Sequence, residues 1–211
     1  MRTAALLGMS LALLGVVGCA NTERSRTLND PNVPPAVTAA QVCSNCHHID
    51  GNSISPNFPK LAGQQEDYII EQLKSFRSHG RFDPAGFEYM WGISRKLTDE
   101  QIKGLAAYFS QQTPKANPPG DAKLISAGKE IFEKGLPALN TPPCMVCHGP
   151  QGRGSGKFPR IANQHADYIV KQLYVFQRTD ERPEGAIMKP IVHSLTAGNL
   201  AAVAAYLESM P

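Results

Sequence analysis

The sequence predicts an all-α protein built from two copies of one helical unit. Apolar residues recur at helical spacing, no segment sustains strand alternation, and the second half of the chain repeats the first. Phe58-Pro59-Lys60-Leu61-Ala62 returns as Phe158-Pro159-Arg160-Ile161-Ala162. Asp67-Tyr68-Ile69-Ile70-Glu71-Gln72-Leu73 returns as Asp167-Tyr168-Ile169-Val170-Lys171-Gln172-Leu173, and Met90, Leu97 and Tyr108 find counterparts at Met188, Leu195 and Tyr206. The pattern predicts one domain at residues 38–113, a Pro-rich linker at 114–121 and a second domain at 122–211.

Ahead of both units, Met1-Arg2-Thr3 is a short basic start, and the apolar run from Ala4 to Val17 is too short to span a bilayer but suits a secretory leader. Val16-Val17-Gly18-Cys19 resembles a bacterial lipobox. That resemblance implies a lipoprotein signal peptide at residues 1–18 and a lipid anchor on Cys19, where more than one acyl chain would hold stably to a membrane. An ordinary leader with a chance cysteine is the alternative. Residues 19–37 are polar and dotted with proline, which predicts a flexible tether.

In the first unit, the stretch from Ala36 to Val42 leaves room for only a short opening helix. Tyr68, Gln72, Leu73 and Phe76 follow i, i+4, i+5, i+8 spacing, as do Tyr168, Gln172, Leu173 and Phe176. Thr98-Asp99-Glu100 opens a closing helix with Ile102, Leu105, Ala106 and Phe109 on one face; Leu200, Val203, Ala204 and Leu207 are its counterpart. Asp121 to Lys134 predicts the second unit's opening helix, with Leu124, Ile125, Ile131 and Phe132 inward.

Apart from Cys19, the cysteines form two pairs, each followed at once by histidine: Cys43-Ser44-Asn45-Cys46-His47 and Cys144-Met145-Val146-Cys147-His148. Two disulfides or a four-cysteine zinc site would use the thiols. Neither explains a histidine after both pairs. The spacing matches c-type haem attachment: two thiols one helical turn apart meet the two vinyl groups, and the next residue offers imidazole to the iron. Two covalently bound haem c groups are therefore expected.

A six-coordinate iron needs a second axial ligand. Met145 lies between attachment cysteines and Met210 is next to the chain end, which leaves Met90 and Met188, equivalent in the repeat. A thioether opposite imidazole favours reduced iron and raises the potential. His48, His79, His165 and His193 have no repeat equivalents; surface or hydrogen-bonding roles are expected, with His79 and His193 as alternative distal ligands.

These residues resemble the dihaem cytochrome c4 family. The matching pieces are both Cys-x-x-Cys-His motifs, Asp50-Gly51-Asn52-Ser53, Pro59-Lys60-Leu61-Ala62-Gly63-Gln64, the Tyr68 to Phe76 helix, Met90, and Leu97-Thr98-Asp99-Glu100 through Phe109. The resemblance covers roughly residues 38–210. It implies two class I cytochrome c domains related by a pseudo-twofold axis. It also implies that the carbonyls of Pro59 and Pro159 accept the Nδ1–H of His47 and His148. Three features depart from the family: His48 replaces the usual glycine after the first motif, the first opening helix is abbreviated, and a lipobox replaces a plain leader.

Lys and Arg exceed Asp and Glu by only three, too little for a nucleic-acid partner. The expected protein is an electron carrier rather than an enzyme, lipid-anchored on the periplasmic side of a bacterial membrane. Its expected partners are a quinol-oxidising complex or dehydrogenase as donor and a terminal oxidase or reductase as acceptor, with no small-molecule substrate. The rivals are a dihaem enzyme of peroxidase or thiosulfate-oxidising type, and an electron-transfer subunit of a larger complex.

Overall fold

The computed structural model describes residue 30 and residues 32–118 and 120–211. The expected signal peptide, Cys19 and the first part of the tether lie outside the described residues. Among those described, the regular structure is helical; pairing in the extended form is confined to the isolated bridges Leu136–Thr141 and Ser155–Phe158. No described helix is long and apolar enough to cross a membrane.

The first domain opens with α1 (Pro35–Thr38), which begins inside the stretch expected as tether and carries proline at its first position, where no intrahelical N–H is missed. It runs through a π-helical turn (Ala39–Cys43) into α2 (Ser44–His47), so the abbreviated opening helix and the first motif form one continuous run. Next come α3 (Glu66–Arg77), a second π-helical turn (Gly86–Met90), α4 (Trp91–Ser94) and α5 (Asp99–Ser110). Acidic residues in the first turn of α3 and basic ones in its last complement the helix dipole. Thr98 and Gln101 form a capping box that starts α5 where the sequence predicts it.

The second domain repeats the plan with α6 (Ala122–Lys134), α7 (Met145–His148), α8 (Ala166–Arg178), α9 (Met188–Val192) and α10 (Ala197–Ser209). Asp121 caps α6, and Thr196 with Asn199 boxes α10. In the first domain α3 packs on α5 around Ile69, Leu97, Ile102, Leu105 and Phe109. In the second, α10 packs on α6 and α8 around Phe132, Ile169, Val203 and Leu207, with Met210 buried and Met145 packed beside it. Leu124, expected inward, is 40% exposed. It sits in the first turn of α6, one helical turn before the close crossing with α10.

That crossing depends on Gly128, where a Cβ would collide with the Ala202 carbonyl oxygen. The first domain solves the same contact from the other side: Gly104, the repeat counterpart of Ala202, receives the ring of Pro35.

The domains meet through contacts that recur with roles exchanged, as an approximate twofold axis requires. Lys60 N–H donates to Gln164 Oε1 at 2.8 Å and Gln164 Nε2 donates to the Lys60 carbonyl at 3.0 Å. Likewise Arg160 N–H donates to Gln64 Oε1 at 2.7 Å and Gln64 Nε2 to the Arg160 carbonyl at 2.9 Å. Deeper in, Arg81 donates to Gln72 and Gln172, and Arg182 donates to Gln172 and Gln72.

Candidate functional site

Each Cys-x-x-Cys-His motif ends in one short helical turn, and the histidine that closes it is buried. His47 Nδ1 lies 2.9 Å from the Pro59 carbonyl and His148 Nδ1 lies 3.0 Å from that of Pro159. A carbonyl only accepts, so Nδ1 carries the proton in both rings and the Nε2 lone pair is left for a metal. Burial pushes both imidazole pKa values down, against the opposing pull of the carbonyl bond, which favours the neutral rings, the form able to take a metal.

The loop that carries each proline is held by the glycine that follows the motif: Gly51 accepts from Leu61 and Ala62, Gly152 from Ile161 and Ala162. At the residue directly after the histidine the copies differ. Gly149 has φ 78° and ψ 159°, and His48 adopts nearly the same backbone at φ 62° and ψ 158°. A side chain is strained in that region. His48 gains in return a 2.7 Å contact with Asp50, which also pairs with Lys115 at 2.6 Å.

No disulfide joins Cys43, Cys46, Cys144 or Cys147. Burial pushes the Cys43 and Cys144 thiols up to about 11. Among the described residues no three or more Cys, His, Asp or Glu side chains converge on a metal position, and the four-cysteine zinc reading has no site.

Met90 closes the π-helical turn before α4 and Met188 opens α9, both half-buried. The residue before each is an exposed large apolar side chain, Tyr89 at 49% and Ile187 at 59%; Phe158, edge-on to His148, is also exposed. His79 is exposed and stacked on Trp91 with centroids 4.1 Å apart, and His193 is exposed. His165 is buried at the domain junction, its Nε2 2.9 Å from the Ser53 carbonyl, a hydrogen-bonding role of the kind expected.

The residues fit a porphyrin with acidic substituents. Apolar side chains beside each methionine lack the cover a flat apolar group would give. Gln72 Nε2 and Gln172 Nε2, one per domain, are buried donors with no partner among the described residues, which suits carboxylate acceptors. The sequence reading missed this glutamine and arginine cluster, although Arg81-x-Asp83 and Arg182-x-Glu184 repeat at one offset.

Two helical domains, each offering a thiol pair and a buried neutral imidazole, define a tandem haem-binding protein. Residues 36–113 and 125–211 both match the family described as cytochrome c. The chain is 36% identical to cytochrome c4 of Azotobacter vinelandii, across 81% of this chain and 85% of the relative. It is 32% identical to the thiosulfate dehydrogenase electron acceptor of Stutzerimonas stutzeri, across 82% and 80%. The solved structure of Acidithiobacillus ferrooxidans cytochrome c4 superposes with a TM-score of 0.75 at 37% identity, across 80% of this chain and 98% of that one. The chain belongs to the cytochrome c family, as a dihaem member of cytochrome c4 type. It carries two haem c groups and is an electron carrier, not an enzyme.

Proposed function

We propose that the protein is a membrane-tethered carrier in which His47 and Met90 hold one iron and His148 and Met188 the other. When bound, the haem groups supply one-electron chemistry at iron. Cys43 and Cys46, with Cys144 and Cys147, fix them covalently. Pro59 and Pro159 orient the imidazoles and raise their basicity, and the two methionines favour the reduced state. With Met90 and Met188 held opposite the histidines, neither iron would need to admit a substrate.

The observation that carries this reading is the duplication of the whole ligand set at matched positions, down to the histidine–proline bonds of 2.9 and 3.0 Å. A chance core methionine would not recur at the same distance before the same closing helix.

The lipobox supports anchoring at Cys19 on the periplasmic side of a bacterial membrane, with a quinol-oxidising complex or dehydrogenase as donor and a terminal oxidase or reductase as acceptor. Contacts for such exchange are small and transient, below ~1,200 Å². A second reading, a dedicated acceptor for one dehydrogenase, is favoured by the likeness to the thiosulfate dehydrogenase electron acceptor. Cell fractionation of wild type and Cys19→Ser tests the tether. Wild type is expected with membranes and Cys19→Ser in the soluble exported fraction with both haem groups; retention of the variant on membranes refutes the anchor. Stopped-flow oxidation by a purified terminal oxidase, against reduction by a purified dehydrogenase, separates the two readings of partner.

A further inference from the structure

The peptide group that orients each axial histidine also reaches into the other domain. In the Pro59–Lys60 peptide, the carbonyl accepts from His47 Nδ1 at 2.9 Å and the N–H donates to Gln164 Oε1 at 2.8 Å. In the Pro159–Arg160 peptide, the carbonyl accepts from His148 Nδ1 at 3.0 Å and the N–H donates to Gln64 Oε1 at 2.7 Å. Both glutamines are buried. Their amide orientation is fixed by chemistry, because the facing backbone N–H requires an oxygen and the facing carbonyl requires an NH₂.

We infer that each glutamine tunes the haem of the opposite domain: Gln164 acts on the haem held at His47, and Gln64 on the haem held at His148. The inference rests on the axial ligation proposed above. An acceptor on a peptide N–H polarises the group and makes its carbonyl more basic, so the histidine bond on the same peptide strengthens cooperatively. A stronger Nδ1–H bond makes imidazole a better donor to iron and stabilises the oxidised state. The domain junction is thereby wired to both potentials, and any partner or motion that parts the junction raises them. Gln64 and Gln164 are positioning residues; neither touches the haem side of its histidine.

The experiment is potentiometric titration of the full holoprotein as wild type, Gln164→Met and Gln64→Met. Met90→His and Met188→His, each depressing its own haem, assign the two potentials. The expected effect is about a two- to threefold shift toward reduced iron, or ~18–28 mV at 59 mV per tenfold. Gln164→Met is expected to raise the His47 haem and Gln64→Met the His148 haem. Gln164→Glu, a stronger acceptor for the same N–H, is expected to lower the His47 haem even if the methionine variant fails to assemble. A shift in the variant's own domain, equal shifts in both, no shift, or a rise in Gln164→Glu overturns the inference. Absence of sulfur-to-iron charge-transfer absorption in wild type overturns the ligation beneath it as well.

Discussion

Arg81 and Arg182, one from each domain, grip the same two glutamine side chains in mirrored order. Arg81 Nη1 donates to Gln72 at 2.6 Å and its Nη2 to Gln172 at 3.1 Å; Arg182 Nη1 donates to Gln172 at 2.6 Å and its Nη2 to Gln72 at 3.1 Å. Each guanidinium lies over a phenylalanine of its own domain, Phe76 or Phe176. Arg81 is 3% exposed and its carboxylate partner Asp83 is fully buried.

Removing one partner of such a pair leaves an uncompensated buried charge. Arg81→Met is expected to destabilise the holoprotein by about 3 kcal/mol or more, measured by urea unfolding. Adding Asp83→Leu to it should restore part of the loss; a double variant no better than the single would show that the charge left behind is not the cause.

The same pair sets a pH dependence. Burial pushes the Asp83 carboxyl up, but the bonds and charge of Arg81, with Arg182 nearby, hold it below its ordinary value overall. A carboxyl depressed in the folded state stabilises fully above its unfolded pKa of about 3.9, and the contribution is lost as pH falls through the folded value. The stability gap between wild type and Asp83→Asn should therefore be constant above about pH 5 and shrink below about pH 4. A gap that persists undiminished in acid contradicts this.

His48 is expected to be replaceable with profit. Its φ of 62° with ψ of 158° suits glycine, and its counterpart Gly149 is one. His48→Gly should stabilise by about 1 kcal/mol and Gly149→Ala destabilise by a similar amount. A Cβ at Gly149 meets nothing within 4 Å, so backbone strain alone is read there. Thermal unfolding of both variants checks the pair.

The crossing of α6 with α10 makes a further contrast. Gly128→Ala drives a methyl into the Ala202 carbonyl and should cost roughly 3 kcal/mol or more. Gly104→Ala meets the Pro35 ring, which opens the four-residue helix α1, rather than the backbone of a long helix, and should cost less. Equal losses in the two variants would mean that both crossings give way alike.

Local chemistry made much of the molecule legible in its sequence. The capping residues Thr98 and Asp121 act on neighbours a few residues away; the histidine–proline bonds, which span twelve and eleven residues, were expected from the family resemblance, and duplication pairs each with a second copy. Gln72 and Gln172 were legible only as members of a helical stripe. They are indeed buried, but against arginines, and Gln72 meets Arg182 more than a hundred residues away. No local periodicity encodes a contact that forms when two domains dock. Leu124 fails for a related reason: apolar spacing identifies a face, whereas the place where that face meets α10 is set by Gly128.

The most direct test of the account is the spectrum and carbon monoxide reactivity of the purified two-haem protein. Histidine–methionine ligation at both irons predicts sulfur-to-iron charge-transfer absorption for two haem groups in the oxidised state. It also predicts no stoichiometric carbon monoxide binding in the reduced wild type, and one equivalent bound in Met188→Ala with both haem groups still attached. A wild-type protein that binds carbon monoxide stoichiometrically, or whose mass falls short by one porphyrin, contradicts it.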